Sequence, residues 1–223
     1  MIRVSHLKFS YPGGDFHLDI DSLGVKRGAS AAVIGPSGTG KTTLLNLISG
    51  VAVPDTGTVT TRDVEVSSLD DGARRDFRIR NIGFIFQEFE LLDYLDVRDN
   101  ILLPYRTSAA LELDGAVRKR VAELAEMVGI SDKLQRYVHH LSQGERQRVA
   151  ICRALLPSPE LILADEPTGN LDPENTDKVL ALLFDYVRSS GTTLVSVTHE
   201  RHLIDRFDQV IDFATFRKAS IHA

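Results

Sequence analysis

The sequence predicts a single α/β domain with a mainly parallel sheet, a β-rich amino-terminal part and an inserted helical lobe. Short apolar segments suited to buried strands, such as 31–34 and 161–164, alternate with helical segments, which is typical of parallel sheets with crossover helices. Two early segments, 4–9 and 16–20, alternate apolar and polar residues with the period of a half-buried strand. Between about 96 and 156 the periodicity is helical, so the lobe is expected there.

Turn residues and apolar runs predict further elements in the first half. A helix over 43–49 is expected to stop at Gly50, because glycine commonly follows a helix end. A turn at 54–57 precedes a strand over 58–61, and another apolar strand is predicted at 81–86.

In the second half, one apolar stripe at helical spacing is interpreted as a core face without further function. The stripe consists of Val117, Val121, Leu124 and Val128. A crossover helix is predicted over 173–190, ended by Gly191, and a strand over 192–197 follows.

Composition excludes several classes of protein. With 43% hydrophobic and 26% charged residues, the 223-residue chain has globular composition and is not expected to be disordered. A net charge of −5 provides no global field for gripping nucleic acid. Cys152 is the one cysteine, which fits a reducing compartment. No apolar stretch approaches the roughly 18 residues of a spanning helix and Met1 starts no signal peptide, so a soluble cytosolic domain is expected.

The glycine-rich segment 35–42 matches G-x-x-x-x-G-K-[ST] in full, between a predicted strand and a predicted helix. Such a loop directs backbone N–H groups and a helix N-terminus at phosphate oxygens. Lys41 would reach the β- and γ-phosphates, and the Thr42 hydroxyl would bind Mg²⁺. The alternative is a strand-to-helix turn with a solvated lysine. The residues expected to bind ATP here are Gly35, Pro36, Ser37, Gly38, Thr39, Gly40, Lys41, Thr42 and Thr43.

Two adjacent carboxylates complete the predicted nucleotide site. The apolar strand 161–164 leads into Asp165 and Glu166. Asp165 at the strand end would hold Mg²⁺, whereas Glu166 points differently and could polarise a water for attack on the γ-phosphate.

Other polar residues are given structural interpretations. A basic cluster on a predicted helix is read as a solvated face, with a nucleic-acid patch as the alternative. It comprises Arg74, Arg75, Arg78 and Arg80. His139 and His140 are expected at the surface, and Cys152 is expected to be a small buried apolar group.

Several segments together resemble the motifs of ATP-binding-cassette (ABC) ATPases, in the order of that family and over nearly the whole chain. They are Tyr11 as the A-loop aromatic, Gln87 as the Q-loop glutamine, 141–145 as the LSGGQ signature, 170–172 as the D-loop and His199 as the switch histidine. The resemblance implies a P-loop NTPase (RecA-like) core with an N-terminal antiparallel β subdomain and an inserted α-helical signature subdomain. The whole of 1–223 would form one ABC ATPase domain, with 1–87 and 157–223 as the catalytic core with its β subdomain and 88–156 as the helical subdomain.

The resemblance also implies roles at the nucleotide. Tyr11 would stack on adenine, and Gln87 would join the Mg²⁺ shell beside Thr42 and Asp165. Glu166 would be the catalytic base, while His199 would hold the γ-phosphate and the attacking water.

The signature and the D-loop, with Asp172, would act between subunits. The signature would close over the ATP bound by a second copy, in a head-to-tail homodimer with two ATP molecules. Its residues are Ser142, Gln143, Gly144 and Glu145. The pair Ser142 and Glu145 also has the spacing of a capping box, which would stabilise a helix start with no function. Gln143 replaces a family glycine, and Glu145 replaces glutamine.

Within the family, segments 141–150 and 166–172 are especially similar to the lipoprotein-release, macrolide-export and FtsE-like division ATPases. This branch implies a cytoplasmic ATPase, peripheral on the membrane, that drives a membrane-spanning permease in export or extraction of a lipoprotein, drug or other amphiphile. Residues 88–96 would form part of the groove that receives the permease. The alternative is an FtsE-like switch that signals to a membrane partner without transport. A P-loop small-molecule kinase and ABC proteins acting on DNA or ribosomes are disfavoured, and no nucleic-acid partner is expected. The end of the chain, 214–223, lacks the usual Asp-Gly hairpin.

Overall fold

Two sheets organise the chain, which a computed structural model describes over residues 1–199 and 201–216. The strands are β1 (Ile2–Ser10), β2 (His17–Val25), β3 (Ser30–Ile34), β4 (Thr56–Thr61), β5 (Val64–Glu65), β6 (Ile82–Ile85), β7 (Leu161–Asp165), β8 (Thr193–Val197) and β9 (Gln209–Asp212). The α-helices are α1 (Lys41–Ile48), α2 (Asp71–Asn81), α3 (Val97–Thr107), α4 (Gly115–Met127), α5 (Gln143–Leu155) and α6 (Pro173–Ser190).

The larger sheet has five parallel strands in the order β6-β7-β8-β3-β9. Its register sets Leu161 beside Thr193 and Asp165 beside Val197. Because all strands run the same way, the carboxyl ends of β3, β6, β7 and β8 meet at one edge, where ligands bind in open α/β sheets.

The smaller sheet is antiparallel in the order β2-β1-β4-β5. Its long hairpin pairs Ile2 with Val25 and Ser10 with His17. This sheet is the antiparallel β subdomain that the sequence predicts, although the two-residue strand β5 was too short to be recognised from a pattern.

Alternating side chains of the parallel strands divide the core into two apolar clusters. Leu161 and Leu163 of β7 pack with the antiparallel sheet and α1, whereas Ile162 and Ala164 pack with the helices. Successive side chains of a strand point to opposite faces, so β7 is buried on both, as its apolar sequence predicts. The helical stripe is a core face, with Val121, Leu124 and Val128 buried and Val117 packed against them.

Side-chain caps fix where the helices begin. At five helix starts an Asp or Ser side chain accepts the backbone N–H three residues later, which satisfies one of the unpaired donors of the first turn. The caps are Asp70, Asp96, Asp114, Ser142 and Asp172. Helix α6 occupies Pro173–Ser190 as predicted and ends at Gly191, whose φ is 68°.

Some boundaries differ from the sequence prediction. Helix α1 begins at Lys41, two residues before the predicted start, since Gly40 takes the left-handed N-cap conformation. Of the predicted helical region, α3, α4 and α5 are true helices, joined by loops and short 3-10 turns. The segment 214–223, which lacks the Asp-Gly hairpin usual in the resembled family, is described only as far as residue 216. Phe213–Phe216 forms a 3-10 turn. Within the described part of the chain, no helix has the length and apolarity needed to cross a bilayer.

We predict that Gly57→Ala destabilises the protein by about 2 kcal/mol or more. Gly57 has a φ of +83°, and a Cβ there would lie 2.3 Å from the carbonyl oxygen of His6, at the point where the register of β1 and β4 shifts. The free energy of unfolding in urea measures this effect. The control is Gly115→Ala at the first position of α4, where a Cβ meets nothing within 4 Å, and a change no larger than that of the control would contradict the prediction.

Candidate nucleotide-binding and catalytic site

The loops at the carboxyl edge of the parallel sheet border an open cavity of about 280 Å³. It is lined by Phe16, Ser37, Gly38, Gly40, Lys41, Thr42, Thr43, Glu166 and His199. The glycine-rich loop after β3 therefore meets the segments that follow β7 and β8. The sequence predicted this meeting, because each segment follows an apolar strand.

The glycine-rich loop presents a cation and a helix N-terminus to the cavity. Lys41 is 5% exposed, and its Nζ donates hydrogen bonds to the carbonyls of Gly35 and Pro36, each at 2.9 Å. Burial lowers the pKa of Lys41, while the nearby carboxylates of Glu166 and Asp165 act in the opposite direction. Gly40 supplies no side-chain cap to α1, so the first-turn N–H groups remain donors for an anion.

Asp165 lies at the end of β7 beside the start of α1. The Thr42 hydroxyl lies near its carboxylate and stabilises the charged form. Burial raises the pKa of Asp165, and the charge of Glu166 adds to this rise, whereas the Thr42 hydroxyl and the charge of Lys41 lower the pKa. A hydroxyl and a carboxylate oxygen thus lie together next to the loop.

Glu166 and His199 form a close pair across the cavity. The Nε2 of His199 lies 2.6 Å from the Oε1 of Glu166. Glu166 has a φ of 48°, which is rare for a residue with a side chain, and its N–H donates to the carbonyl of Val197 at 3.2 Å. Strained residues of this kind cluster at functional sites, and Glu166 lines the cavity whereas Asp165 is not among the lining residues.

Gln87 lies beside the loop that carries Glu166. The carbonyl of Gln87 accepts a hydrogen bond of 3.0 Å from Asn170 Nδ2. The side chains of Gln87 and Glu166 both approach Gly169. A Cβ at this glycine would lie 3.3 Å from Gln87 Nε2 and 3.6 Å from Glu166 Oε2. The Q-loop glutamine and the acidic residue are thus neighbours within one subunit.

Tyr11 belongs to an aromatic cluster next to α1. Its ring centroid lies 4.8 Å from that of Phe9 and 5.6 Å from that of Phe16, and its hydroxyl is 3.1 Å from Thr43 Oγ1. Tyr11 is 44% exposed, whereas Phe16 lines the cavity. Phe16 was interpreted only as part of a strand, because no spacing in the sequence links it to the glycine-rich loop.

The signature segment, residues 141–145, does not line this cavity. Ser142 and Glu145 form the predicted capping box, in which Ser142 Oγ accepts from the Glu145 N–H at 3.3 Å and Glu145 Oε2 accepts from the Ser142 N–H at 2.8 Å. Ser142 and Gln143 are exposed, but Gly144 is buried. A Cβ at Gly144 would lie 2.9 Å from Asn175 Oδ1, so a larger residue here would have to displace the Asn175 side chain.

Asp172 has a structural role within the subunit. It caps α6, with Oδ1 accepting from the Asn175 N–H at 3.0 Å and Oδ2 accepting from Asn175 Nδ2 at 2.6 Å. These hydrogen bonds lower the pKa of Asp172. Asn175 therefore links the D-loop carboxylate to the signature glycine.

The structure largely confirms the structural roles that the sequence predicted for two histidines, the cysteine and the basic cluster. His139 and His140 are exposed. Cys152 is buried, and burial raises the pKa of its thiol to about 12, which makes it a poor nucleophile. The basic cluster is only partly a solvated face: Arg75 is exposed, but Arg74 is half-buried and donates to the carbonyl of Leu69.

Comparisons with known proteins agree with the motifs. The model of the ABC transporter family matches residues 18–169. The lipoprotein-releasing system ATP-binding protein LolD 1 of Rhodopirellula baltica is 40% identical over 98% of this chain and 97% of its own. The methionine import ATP-binding protein MetN of Brucella abortus is 44% identical over 85% of this chain, but the match covers only 51% of MetN.

A solved structure has the same fold. The ATP-binding cassette MJ0796, in a dimeric post-hydrolysis state bound to ADP and Pi, superimposes with a TM-score of 0.86 at 33% identity, over 95% of this chain and 94% of its own. The predicted fold, with its P-loop core and antiparallel subdomain, is confirmed. The chain belongs to the ABC transporter family, as an ATP-binding subunit with ATPase activity.

Proposed function

We propose that two copies of this chain bind two ATP molecules head to tail and that closure and hydrolysis drive a membrane-embedded partner. The observation that carries the proposal is that, within one subunit, the exposed start of α5 contributes no residue to the lining of the Glu166–His199 cavity. Each half presents groups suited to a phosphate, yet Ser142 and Gln143 do not line the cavity. The dimeric state of the MJ0796 cassette supports a second copy as the source of the missing half.

On this proposal, the glycine-rich loop binds the phosphates and Tyr11 stacks on the adenine. The Lys41 ammonium exchanges its bonds to the Gly35 and Pro36 carbonyls for bonds to phosphate oxygens. The exposed Tyr11 ring stands next to Thr43 of the first turn of α1, which suits a base attached to phosphates at that turn. The signature supplies N–H groups and the positive end of α5 to the partner's γ-phosphate.

Magnesium fits the oxygen pair at the end of β7. Among the described residues, no group of three or more His, Cys, Asp or Glu side chains could hold a metal alone. Mg²⁺ in nucleotide sites takes one or two protein carboxylates together with phosphates and waters, which suits Thr42 and Asp165. Gln87, whose amide and the Glu166 carboxylate both lie near Gly169, is the further ligand that we propose. When bound, the ion neutralises developing charge on the phosphates.

Glu166 is the proposed general base. Its carboxylate takes a proton from the water that attacks the γ-phosphate, and His199, which contacts Oε1 of the same carboxylate, orients that water and holds the γ-phosphate. The left-handed backbone at Glu166 fixes the carboxylate before substrate arrives, so little reorganisation is needed at the moment of reaction.

A second cavity, of about 680 Å³, is the proposed docking surface for the membrane partner. It lies between the core and the helical lobe, and its apolar lining includes Ile79, Ile82, Phe84, Phe86, Pro104 and Ala154. A helix of the partner buries its apolar face in such a groove. Residues 88–96, expected in this groove, do not line the cavity, but Arg153 lines it and holds the carbonyls of Phe89 and Glu90.

We assign the chain to the cytoplasmic face of the membrane, as a subunit that exports or extracts a lipoprotein, drug or other amphiphile. The near-complete match to LolD 1, which covers 97% of that protein, favours this cargo class over import, since MetN is matched over 51% of its length. An FtsE-like switch without transport is the second candidate, and it uses the same ATP-binding surfaces.

Glu166→Gln is expected to lower ATP turnover by at least about a hundredfold while ATP binding persists, because it removes the base but leaves the phosphate and metal ligands. ATP-dependent dimers should therefore accumulate in size-exclusion chromatography with light scattering. Glu174→Gln, which changes an exposed glutamate of α6, is the control. Hydrolysis by Glu166→Gln at the rate of the unaltered protein would show that Glu166 is not the base.

Ser142→Arg is expected to abolish the ATP-dependent dimer and leave ATP binding by the monomer intact, because the large cation occupies the surface that meets the partner's ATP. Gln143→Arg tests the same surface and keeps the helix cap. Ser68→Arg is the control, because this serine is exposed and lies outside the signature segment. Normal dimers from both signature variants would contradict the role of the signature between subunits.

A further inference from the structure

Arg153, in the last turn of α5, places a buried cation under the segment that follows Gln87. Arg153 is only 8% exposed. Its Nη2 donates a 2.6 Å hydrogen bond to the carbonyl of Phe89, and its Nη1 donates to the carbonyl of Glu90. Burial lowers the pKa of this guanidinium, and the charge of Glu90 acts in the opposite direction. A buried cation is costly unless it is hydrogen-bonded, so the two carbonyls and the guanidinium require each other.

The two residues that Arg153 holds have an unusual backbone. Phe89 and Glu90 are consecutive residues in the left-handed region, with φ values of 60° and 50°. Residues with a side chain rarely adopt this region, and rarely twice in succession. Such a conformation persists only when its surroundings hold it, and the fork of Arg153 is bound to both strained residues.

At Gln87, the same segment is also hydrogen-bonded to the loop that follows Glu166. Asn170 donates to the carbonyl of Gln87, whose side chain lies beside Gly169 and the Glu166 carboxylate. Six residues before Arg153 in the same helix, the buried Gln147 donates a 2.6 Å hydrogen bond to the carbonyl of Pro167. Helix α5 therefore holds both the segment that follows Gln87 and the segment that follows Glu166.

We propose that Arg153 is a positioning residue for ATP hydrolysis: it holds 87–90 in the strained conformation that keeps Gln87 beside Glu166. The proposal rests on the proposed catalytic role of Glu166, but it concerns a group that touches no nucleotide. Arg153 also lines the 680 Å³ cavity, so the residue that holds 87–90 borders the proposed docking surface.

The test is a pair of substitutions in the full chain. Arg153→Lys keeps the charge but cannot bind two carbonyls with one rigid fork, and we expect kcat for ATP to fall by roughly tenfold to a hundredfold, as for a displaced catalytic group. The dissociation constant of ATP, measured on the monomer, should stay the same, because the glycine-rich loop is untouched. Glu90→Gly in the Arg153→Lys background should restore most of the lost kcat, since glycine adopts positive φ without strain.

Glu88→Gly in the same background is the matched control. Glu88 is also exposed, but its φ is not positive, so glycine there is expected to restore nothing. Unchanged kcat in Arg153→Lys, a loss that Glu90→Gly does not reverse, or equal recovery with Glu88→Gly would overturn the proposal. If Glu166→Gln kept full turnover, the proposed base would fail, yet the comparison of Glu90→Gly with Glu88→Gly would still report on Arg153.

Discussion

The pairing of parallel strands is the constraint on which the remaining structure depends. Parallel strands leave the sheet at one edge, so the segments after β3, β6, β7 and β8 must meet there. Such a sheet is stable only when both faces are covered. Here the antiparallel sheet with α1 covers one face, and the helical lobe with α6 covers the other. The helical lobe also carries the signature.

Several residues serve the fold and the proposed chemistry at once. Ser142 caps α5 and stands at the exposed surface assigned to the partner's ATP. Asp172 caps α6 and positions Asn175 against Gly144. The left-handed turn at Glu166 is held by the carbonyl of Val197 in the neighbouring strand, so the sheet itself orients the proposed base. Loss of function at such positions therefore has to be separated from loss of stability.

Local patterns in the sequence predicted much of the fold. The bounds of α6, the buried strand β7 and the capping box at Ser142 follow from apolar periods, a glycine stop and an S-x-x-E spacing, all of which act within a few residues. The glycine-rich loop and the two acids at the end of β7 were located from their place next to predicted strands. Their catalytic and metal-binding roles stay predictions.

Contacts between distant parts of the chain left no such pattern. Arg153 binds carbonyls more than sixty residues earlier, and Gln147 binds a carbonyl twenty residues later. Phe16 enters the nucleotide cavity because the antiparallel sheet packs beside α1. Likewise, two arginines of the predicted solvated face, Arg74 and Arg78, are half-buried, because packing decides which side of α2 meets solvent.

The central claim is that each ATP site is built from two subunits. Its most direct test mixes two variants that each lack one half of a site, Lys41→Ala and Ser142→Arg, both carrying Glu166→Gln to prevent turnover. The account predicts that neither variant dimerises alone with ATP, whereas the mixture forms heterodimers that each trap one labelled ATP at the single intact site. Dimers from either variant alone, or no dimers in the mixture, would contradict it.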